Sequence, residues 1–225
     1  MTDPVQPLSL ERDGAEHLPG AAVTALEEIQ AMLADVPAHR PGSRLYGVSG
    51  LDTLLAAEGV IGQIAADRLG SNARPVRAIL FDKSDRTNWA LGWHQDRTIA
   101  VTARRDVPGF SPWTIKHGMQ HVAPPFALLA EMLTLRVHLD PVPADNAPLL
   151  VAPGSHRTLV AEGEMEQAVA SHGIHACLAE AGDIWVYATP ILHASDAAAR
   201  PARRRVLQVD YAAIALPGGL DWLGI

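Results

Sequence analysis

The sequence is poor in cysteine and has no long apolar segment. Cys177 is the single cysteine among 225 residues, which excludes a disulfide within the chain and is typical of a reducing compartment. No apolar run approaches the roughly 20 residues that a membrane-spanning helix needs. The polar, proline-containing segment 1–16 lacks the apolar core of a signal peptide. These absences predict a cytoplasmic protein with no membrane partner.

Positive charge is also scarce. Lys and Arg total 18 against 25 Asp and Glu, a net charge of −7. Nucleic-acid binding usually requires a basic face, so the charge predicts no nucleic-acid partner and leaves a small molecule as the expected one. Hydrophobic residues make up 48% of the chain, enough for one globular domain over residues 1–225. The sequence leaves the oligomeric state open.

The pattern of the chain changes near residue 75. Apolar spacing predicts helices over 21–36 and from about 52 to 69 in an N-terminal helical part, residues 1–75. Short extended runs then alternate with Pro and Gly; they cover 76–81, 98–102, 133–139, 149–152, 177–179, 184–187 and 206–214. The run 133–139 alternates as a half-buried strand would, and 162–171 is typical of a short helical insertion. We therefore predict a mainly β fold with flanking helices and a jelly-roll core over about 76–215.

The segment Trp93-His94-Gln95-Asp96 carries the strongest chemical signal. Residues i and i+2 of a strand face the same side, so His94 and Asp96 can offer nitrogen and oxygen ligands to one ion. His193 supplies a third ligand far downstream. Two histidines and one carboxylate on one face of an octahedral ion are the ligand set of non-haem Fe(II) oxygenases.

Three arginines follow the last of these ligands, Arg203 to Arg205. An arginine binds a carboxylate in a planar, two-pronged pair, which suits the distal carboxylate of 2-oxoglutarate. The alternative is a solvated basic run. On an extended strand Arg204 faces opposite its two neighbours, so at least one side chain of the triplet points inward. The chain is therefore interpreted as an Fe(II)- and 2-oxoglutarate-dependent oxygenase.

Other histidines compete for the metal-binding role. His138 and Asp140 repeat the His-x-Asp spacing, but they run into Pro141 and are expected at a solvent-facing turn. His117 and His121 have the i, i+4 spacing of ligands on a helix, although Gly118 and the following prolines disfavour a helix there. A place in the lining of a substrate pocket is the better expectation for that pair.

An ordered set of motifs resembles the phytanoyl-CoA dioxygenase family over roughly residues 76–215. The motifs are Asn88-Trp89, Gly92-Trp93-His94-Gln95-Asp96, Asn146-Ala147-Pro148-Leu149, Pro153-Gly154-Ser155-His156, Gly182-Asp183, Leu192-His193-Ala194-Ser195 and Arg204-Arg205. The resemblance implies a double-stranded β-helix that binds Fe(II) through His94, Asp96 and His193. It also implies 2-oxoglutarate and O2 as co-substrates.

The resemblance assigns the co-substrate site as well. The family has an arginine eleven positions after the distal histidine, which selects Arg204, and Ser195 would help to hold the same carboxylate. Lys83 and Trp113 stand near positions where relatives contact 2-oxoglutarate. The implied reaction is hydroxylation of an unactivated C–H bond, with release of succinate and CO2. Because Asp96 keeps the position that halogenating relatives open to chloride, halogenation is disfavoured.

The chain departs from the family in two respects. Ala147 stands where the family usually has glycine, and we expect this to change only a turn. The chain is also shorter than the hydroxylase that gives the family its name, so an acyl-CoA substrate does not follow.

Two other function classes stay open. A cupin-like metalloenzyme, either an isomerase or a ring-cleaving dioxygenase, would use the same ligands without 2-oxoglutarate, and a non-catalytic binding module would keep only the barrel. A buried Arg204 argues against the first, and three intact ligands argue against the second. The substrate is not identified. The candidate pocket residues are Trp89, Trp93, Arg97, His121 and Arg136.

Overall fold

A computed structural model describes residues 6–38 and 42–225, so the first five residues of the polar N-terminal segment lie outside it. Its largest element is a six-stranded antiparallel sheet. The strands in chain order are β1 (Ala15–Leu18), β2 (Ser43–Leu45), β3 (Arg74–Lys83), β8 (Leu133–His138), β11 (Ile184–Ala188) and β13 (Arg204–Ala212). Their order across the sheet is β1-β11-β8-β13-β3-β2.

A four-stranded sheet forms the second layer. It consists of β4 (Leu91–His94), β9 (Leu149–Val151), β10 (His175–Cys177) and β12 (His193–Ser195), in the order β10-β9-β12-β4. Trp185 and Tyr187 of the six-stranded sheet share one apolar cluster with Val151 and Cys177 of this sheet. The two layers therefore pack face to face. This antiparallel double sheet confirms the predicted jelly-roll class.

A smaller sheet and six helices complete the described fold. The sheet contains β5 (Ile99–Val101), β6 (Trp113–Lys116) and β7 (Met119–Val122), in the order β5-β7-β6. The helices are α1 (Leu10–Asp13), α2 (Leu26–Met32), α3 (Leu51–Leu55), α4 (Gly62–Leu69), α5 (Phe126–Ala130) and α6 (Met165–His172). The last of these, with a short 3-10 turn before it, forms the helical insertion predicted over 162–171.

The N-terminal part differs from the purely helical prediction. It supplies both edge strands of the large sheet, since β1 pairs with β11 and β2 pairs with β3. The helix predicted from 52 to 69 is broken into α3 and α4. Gly62 lies so close to the backbone of α3 that an added Cβ would stand 1.8 Å from the carbonyl oxygen of Ala56. Glycine at 62 therefore permits the tight reversal between the two helices.

Helices α2, α3 and α4 cover one face of the six-stranded sheet, and this explains a second difference. Ile29 of α2 and Leu55 of α3 pack in one cluster with Leu135 and Leu207 of the sheet. The opposite face looks toward the four-stranded layer. All six residues of β8 are consequently buried, not only the alternate ones. The polar positions predicted to face solvent, Arg136 and His138 among them, point into the protein.

Among the described residues, none of the helices has the length and apolar character required to cross a membrane.

Candidate active site

A cavity of about 210 Å³ lies between the two main sheets. Strands β3, β8 and β13 line it on one side, and β4, β9 and β12 line it on the other. Its lining residues are Arg44, Arg77, Ile79, Phe81, Lys83, Trp89, Leu91, His94, Asp96, Lys116, Arg136, Leu149, His193, Ala194, Ser195, Arg204 and Gln208. The cavity thus brings together six of the seven residues predicted for the site.

The two candidate histidine ligands are direct cross-strand neighbours. His94 ends β4 and pairs with His193, which begins β12, and their ring centroids are 4.2 Å apart. Each Nδ1 lies at hydrogen-bond distance from a backbone carbonyl two residues earlier, 2.8 Å to Gly92 and 2.9 Å to Ile191. A carbonyl only accepts, so both Nδ1 atoms donate and both Nε2 atoms keep a lone pair for a metal.

Asp96 lies just beyond β4, not within the strand as predicted, but it lines the same cavity. Its Oδ2 accepts a hydrogen bond of 2.8 Å from Nη2 of Arg77, and Nε of Arg77 donates to the buried carboxylate of Asp210. Burial opposes the charge on Asp96, but Arg77 and the two histidines outweigh it and hold the pKa of Asp96 well below its usual range. The carboxylate is therefore ionised.

The donor set of these three residues fits an Fe(II) ion. Both imidazoles keep Nε2 for a metal, and among the described residues Oδ2 is the only oxygen of Asp96 with a hydrogen-bond partner. Burial, with His94 beside it, lowers the pKa of His193 to about 4, so that its ring is in the neutral, ligating form. Within residues 6–38 and 42–225, however, no three His, Cys, Asp or Glu side chains already converge as a metal cluster.

Two buried polar side chains fix the ligand-bearing segments. Gln95 donates to the carbonyls of Thr158 and Pro190 at 2.9 and 2.7 Å, and its Oε1 accepts from the amide of Val160 at 2.9 Å. Oγ of Ser155 accepts from the amide of Leu192 at 2.9 Å, directly before His193. Gln95 and Ser155, which belong to the motifs that resemble the family, thus position the candidate ligands through these hydrogen bonds.

The opposite part of the cavity holds the predicted co-substrate residues. Arg204 is 2% exposed, its guanidinium donates to the carbonyl of Ala147, and its Nε has no hydrogen-bond partner within residues 6–38 and 42–225. Lys83 pairs with Arg204 across β3 and β13, and its Nζ donates to Oγ of Ser195 at 3.0 Å. Burial and the neighbouring Arg136 lower the pKa of Arg204 to about 9. Among the described residues, no carboxylate forms an ion pair with either cation.

The other two arginines of the triplet are engaged elsewhere. Arg203 has a side chain that is 57% exposed and lies 3.3 Å from Asp82, whereas Arg205 forms a two-pronged pair with Asp140 at 2.7 and 2.9 Å. Arg204 is therefore the member of the triplet that lines the cavity. The departure at Ala147 places a residue with a Cβ at a φ of +52°, and its backbone carbonyl accepts from Arg204.

Trp113 lies outside the cavity lining. It sits on β6, packs with the apolar cluster around Phe110, and has the guanidinium of Arg104 5.5 Å from its ring centroid. Its predicted role near 2-oxoglutarate has no support in this placement.

Two of the five predicted substrate-pocket residues line the cavity, and three do not. Trp89 and Arg136 line the cavity. Trp93 packs beside α6 instead, and the guanidinium of Arg97 donates to the carbonyl of Val160. His121 is fully buried in β7, away from the lining, and His117 occupies the turn of the β6–β7 hairpin with a φ of +52°. The hairpin replaces any helix that would have presented both as ligands.

The second His-x-Asp pair was wrongly expected at the surface. His138 is 1% exposed at the end of β8, and neither of its ring nitrogens has a hydrogen-bond partner in the part of the chain that the structure describes. Both oxygens of Asp140 accept from Arg205. The pair therefore does not face the cavity that holds His94 and His193.

Sequence reasoning missed four polar residues that surround the cavity: Arg44, Arg77, Lys116 and Gln208. Arg77 and its partner Asp210 each interrupt an apolar strand, and a lone charge in a buried strand is a signal that would have found both. Arg44 and Lys116 carry no such signal in the sequence, since each lies in a short polar stretch.

Comparison with solved structures supports the fold. EctD from S. alaskensis with 2-oxoglutarate and 5-hydroxyectoine shares the fold with a TM-score of 0.65 and 18% identity, and the match covers 100% of this chain and 83% of that chain. The epimerase SnoN with Fe3+, alpha ketoglutarate and nogalamycin RO matches with a TM-score of 0.64 and 18% identity, over 93% of this chain and 88% of that chain. HygX from Streptomyces hygroscopicus with nickel and 2-oxoglutarate matches with a TM-score of 0.61 and 14% identity, over 90% of this chain and 84% of that chain. At these identities the likeness concerns the fold alone. None of the curated proteins searched matches the chain.

The family is identified from the sequence match. The model of the family described as phytanoyl-CoA dioxygenase (PhyH) matches residues 10–206. This range is most of the chain, and it extends well before the start of the resemblance seen in the motifs. The chain therefore belongs to the phytanoyl-CoA dioxygenase family of Fe(II)- and 2-oxoglutarate-dependent oxygenases.

Proposed function

We propose that this protein is an Fe(II)- and 2-oxoglutarate-dependent dioxygenase that hydroxylates a C–H bond of a small organic substrate. The observation that carries the proposal is Arg204. It is a buried arginine without a carboxylate partner among the described residues, and it lines the same cavity as His94, Asp96 and His193. A buried cation without an anion is costly, so a carboxylate ligand is its natural complement.

The residues divide into two binding roles. Nε2 of His94, Nε2 of His193 and the carboxylate of Asp96 would hold Fe(II). Arg204 would bind the distal carboxylate of 2-oxoglutarate, with Ser195 and Lys83 beside it. When bound, the iron and 2-oxoglutarate supply the oxidising chemistry: O2 and 2-oxoglutarate are converted to succinate and CO2, and one oxygen atom is inserted into the substrate C–H bond.

The chain itself supplies orientation and a water-poor enclosure. Ile79, Phe81 and Leu149 provide apolar walls, and the β3–β13 and β4–β12 pairings position the residues that would hold 2-oxoglutarate and the iron. Arg77 keeps Asp96 ionised and fixes one of its oxygens. These contributions lower the cost of assembling the reacting groups and exclude competing reactions with water.

A cupin-like metalloenzyme without 2-oxoglutarate is the alternative, and the unpaired Arg204 disfavours it, because such an enzyme has no need of a buried cation there. The reaction type is a separate question, since SnoN is described as an alpha ketoglutarate dependent epimerase. Hydroxylation, a small-molecule partner and a cytoplasmic location therefore stand as predictions.

The test is a screen of candidate substrates with Fe(II), 2-oxoglutarate, ascorbate and 18O2, in which succinate and labelled product are measured. We expect succinate formation that requires 2-oxoglutarate, one labelled oxygen in succinate, and label in a hydroxylated product, without chlorination in high chloride. Turnover without a 2-oxoglutarate requirement would support the cupin-like alternative. A product epimerised without labelled oxygen would refute hydroxylation.

Two matched variants test the choice of metal ligands. His94→Ala should abolish binding of Ni(II), an Fe(II) mimic, whereas His138→Ala should keep it. Retained Ni(II) occupancy in His94→Ala with loss in His138→Ala would show that the wrong His-x-Asp was chosen.

A further inference from the structure

The candidate active site concentrates positive charge beyond what 2-oxoglutarate requires. The protein has 18 lysines and arginines and a net charge of −7, yet six of these cations line one cavity of about 210 Å³. Among the described residues, Asp96 is the only carboxylate in the lining. The six cationic residues are Arg44, Arg77, Lys83, Lys116, Arg136 and Arg204.

These cations form two groups on different parts of the cavity wall. Arg204 pairs with Lys83 across β13 and β3, whereas Arg44 of β2 pairs with Ile79 on the other side of β3. A strand rises about 3.3 Å per residue and neighbouring strands lie about 4.8 Å apart, so the Cα of Arg44 lies about 13 Å from that of Arg204 in the strand direction and about 10 Å across the strands. A carboxylate of 2-oxoglutarate held by Arg204 is therefore not the partner of Arg44.

The two groups also differ in which neighbouring charges shift the pKa of their lysine. The pKa of Lys83 is lowered to about 8 by burial and then by Arg204 and Arg136. The pKa of Lys116 is lowered by burial and then by Arg44 and Arg77. Lys116 and Arg44 are thus close to each other and to the Asp96 end of the cavity.

Arg44 and Lys116 lack anionic partners among the residues that the structure describes. Arg44 is half-buried and its side chain forms no hydrogen bond there. Lys116 is exposed at the rim of the cavity, and its Nζ donates only to Oγ1 of Thr98 at 3.2 Å. Arg77 differs, because Asp96 and Asp210 balance its charge. Arg44 and Lys116 are thus two cations that line one cavity without counter-charges among the described residues, a combination that suits an anionic ligand.

Arg44 also lines a second space on the outer side of the cavity. This groove, of about 720 Å³, has an apolar wall that includes Met32, Val36, Val48 and Met119, and Asp35 and His117 also line it. Arg44 is therefore shared by the inner cavity and the outer groove. A ligand bound at Arg44 can extend an apolar skeleton along the groove while its charged end stays beside Asp96.

We propose that Arg44 and Lys116 bind the anionic group, a carboxylate or a phosphate, of an organic substrate whose apolar part lies in the outer groove. The proposal rests on the proposed function and adds the substrate class to it. The substrate carbon next to the anionic group would then lie nearest the iron ligands.

Binding of a charge series tests this without turnover. Protein loaded with Ni(II) and 2-oxoglutarate is titrated by calorimetry with hexanoate, hexyl phosphate, 1-hexanol and hexylamine. We expect the two anions to bind at least about 10-fold more tightly than the alcohol and the amine, since a hydrogen bond to a charged group contributes about that factor or more. The ranking of hexanoate and hexyl phosphate identifies the preferred anion.

Variants locate the anion. Arg44→Gln and Lys116→Gln should each weaken binding of the preferred anion by roughly 10- to 100-fold and leave the affinity for 2-oxoglutarate unchanged. Arg44→Lys should retain most of the binding, and Arg86→Gln, at an exposed arginine outside the cavity, should have no effect.

Three outcomes would overturn the inference while the proposed function stands: no anion binding to the loaded protein, equal binding of hexylamine, or full anion affinity in both glutamine variants. If the loaded protein fails to bind 2-oxoglutarate at all, the proposed function is wrong and the substrate assignment falls with it.

Discussion

Nη2 of Arg77 donates a 2.8 Å hydrogen bond to Oδ2 of Asp96, and this bond joins the six-stranded sheet to the segment that carries two of the candidate iron ligands. Nε of the same arginine donates to Asp210, which also accepts from Oγ1 of Thr134 at 3.0 Å. The chain thus anchors Asp96 through a buried network. The oxygen that remains for a metal is consequently Oδ1.

Arg77→Gln should weaken metal binding, because Asp96 would lose the group that orients it. Loss of an outer partner of a metal ligand typically costs about 10- to 100-fold in affinity. Calorimetric titration with Ni(II) measures the effect. Arg205→Gln, which breaks an arginine–aspartate pair outside the cavity, is the matched control, and an equal loss in both variants would reduce the role of Arg77 to general stability.

Arg204→Ala should impair 2-oxoglutarate binding far more than Arg203→Ala or Arg205→Ala. Loss of one partner of a desolvated charge pair costs about 2–5 kcal/mol, or roughly 30- to 4000-fold in affinity. The two neighbours are already paired with Asp82 and Asp140. Equal, small losses in all three variants, measured as the dissociation constant of 2-oxoglutarate with Ni(II) present, would remove the support for the co-substrate site.

The sequence predicted the elements that carry periodic or motif signals. The jelly-roll class and the family follow from alternating short strands and from the ordered motifs, and both are confirmed. The cavity location of His94, Asp96, His193 and Arg204 agrees with the same motifs, although their roles stay predictions. Local spacing is informative here because the groups lie on strands of known side-chain alternation.

Tertiary packing decided the features that the sequence did not predict. In the sequence, Arg136 and His138 alternate with apolar residues, which predicts that they face solvent. In the fold, β8 is covered on both faces and both side chains are buried. Arg44 reaches the cavity only because β2 joins the far edge of the sheet, a pairing between segments that are distant in sequence. No local pattern specifies such a pairing, since the closing of long loops depends on the whole fold.

Ala147→Gly should stabilise the protein or leave its stability unchanged. Ala147 has a φ of +52°, where a residue with a Cβ is strained by about 1 kcal/mol or more and glycine is not. Ala176→Gly, at an exposed position of β10, should instead lose about 0.5–1 kcal/mol, the usual cost of glycine in a regular element. Urea unfolding compares the two variants, and a similar loss in both would contradict the strain at Ala147.

His138 should make the stability of the metal-free protein fall in acid. Burial, with Arg136 and Arg204 nearby, lowers the pKa of His138 to about 3 in the folded state, whereas an unfolded histidine titrates near about 6.5. Above about pH 6.5 both states are neutral at this residue and it adds no pH dependence. Below about pH 6.5 His138 is protonated in the unfolded chain but stays neutral in the folded chain. The free energy of unfolding therefore decreases by up to about 1.4 kcal/mol per pH unit until about pH 3.

Urea unfolding at pH 7 and pH 5 measures this contribution. His138→Leu should remove about 2 kcal/mol of the loss of stability between the two pH values, because leucine takes up no proton in either state. His172→Leu, at an exposed position that ends α6, is the control for a general effect of losing a histidine. Since His121 and His193 also have pKa values lowered to about 4, part of the acid sensitivity should remain in His138→Leu. A pH dependence that is the same in His138→Leu and in the parent protein would mean that His138 is protonated equally in both states, and its burial without hydrogen-bond partners would then be refuted.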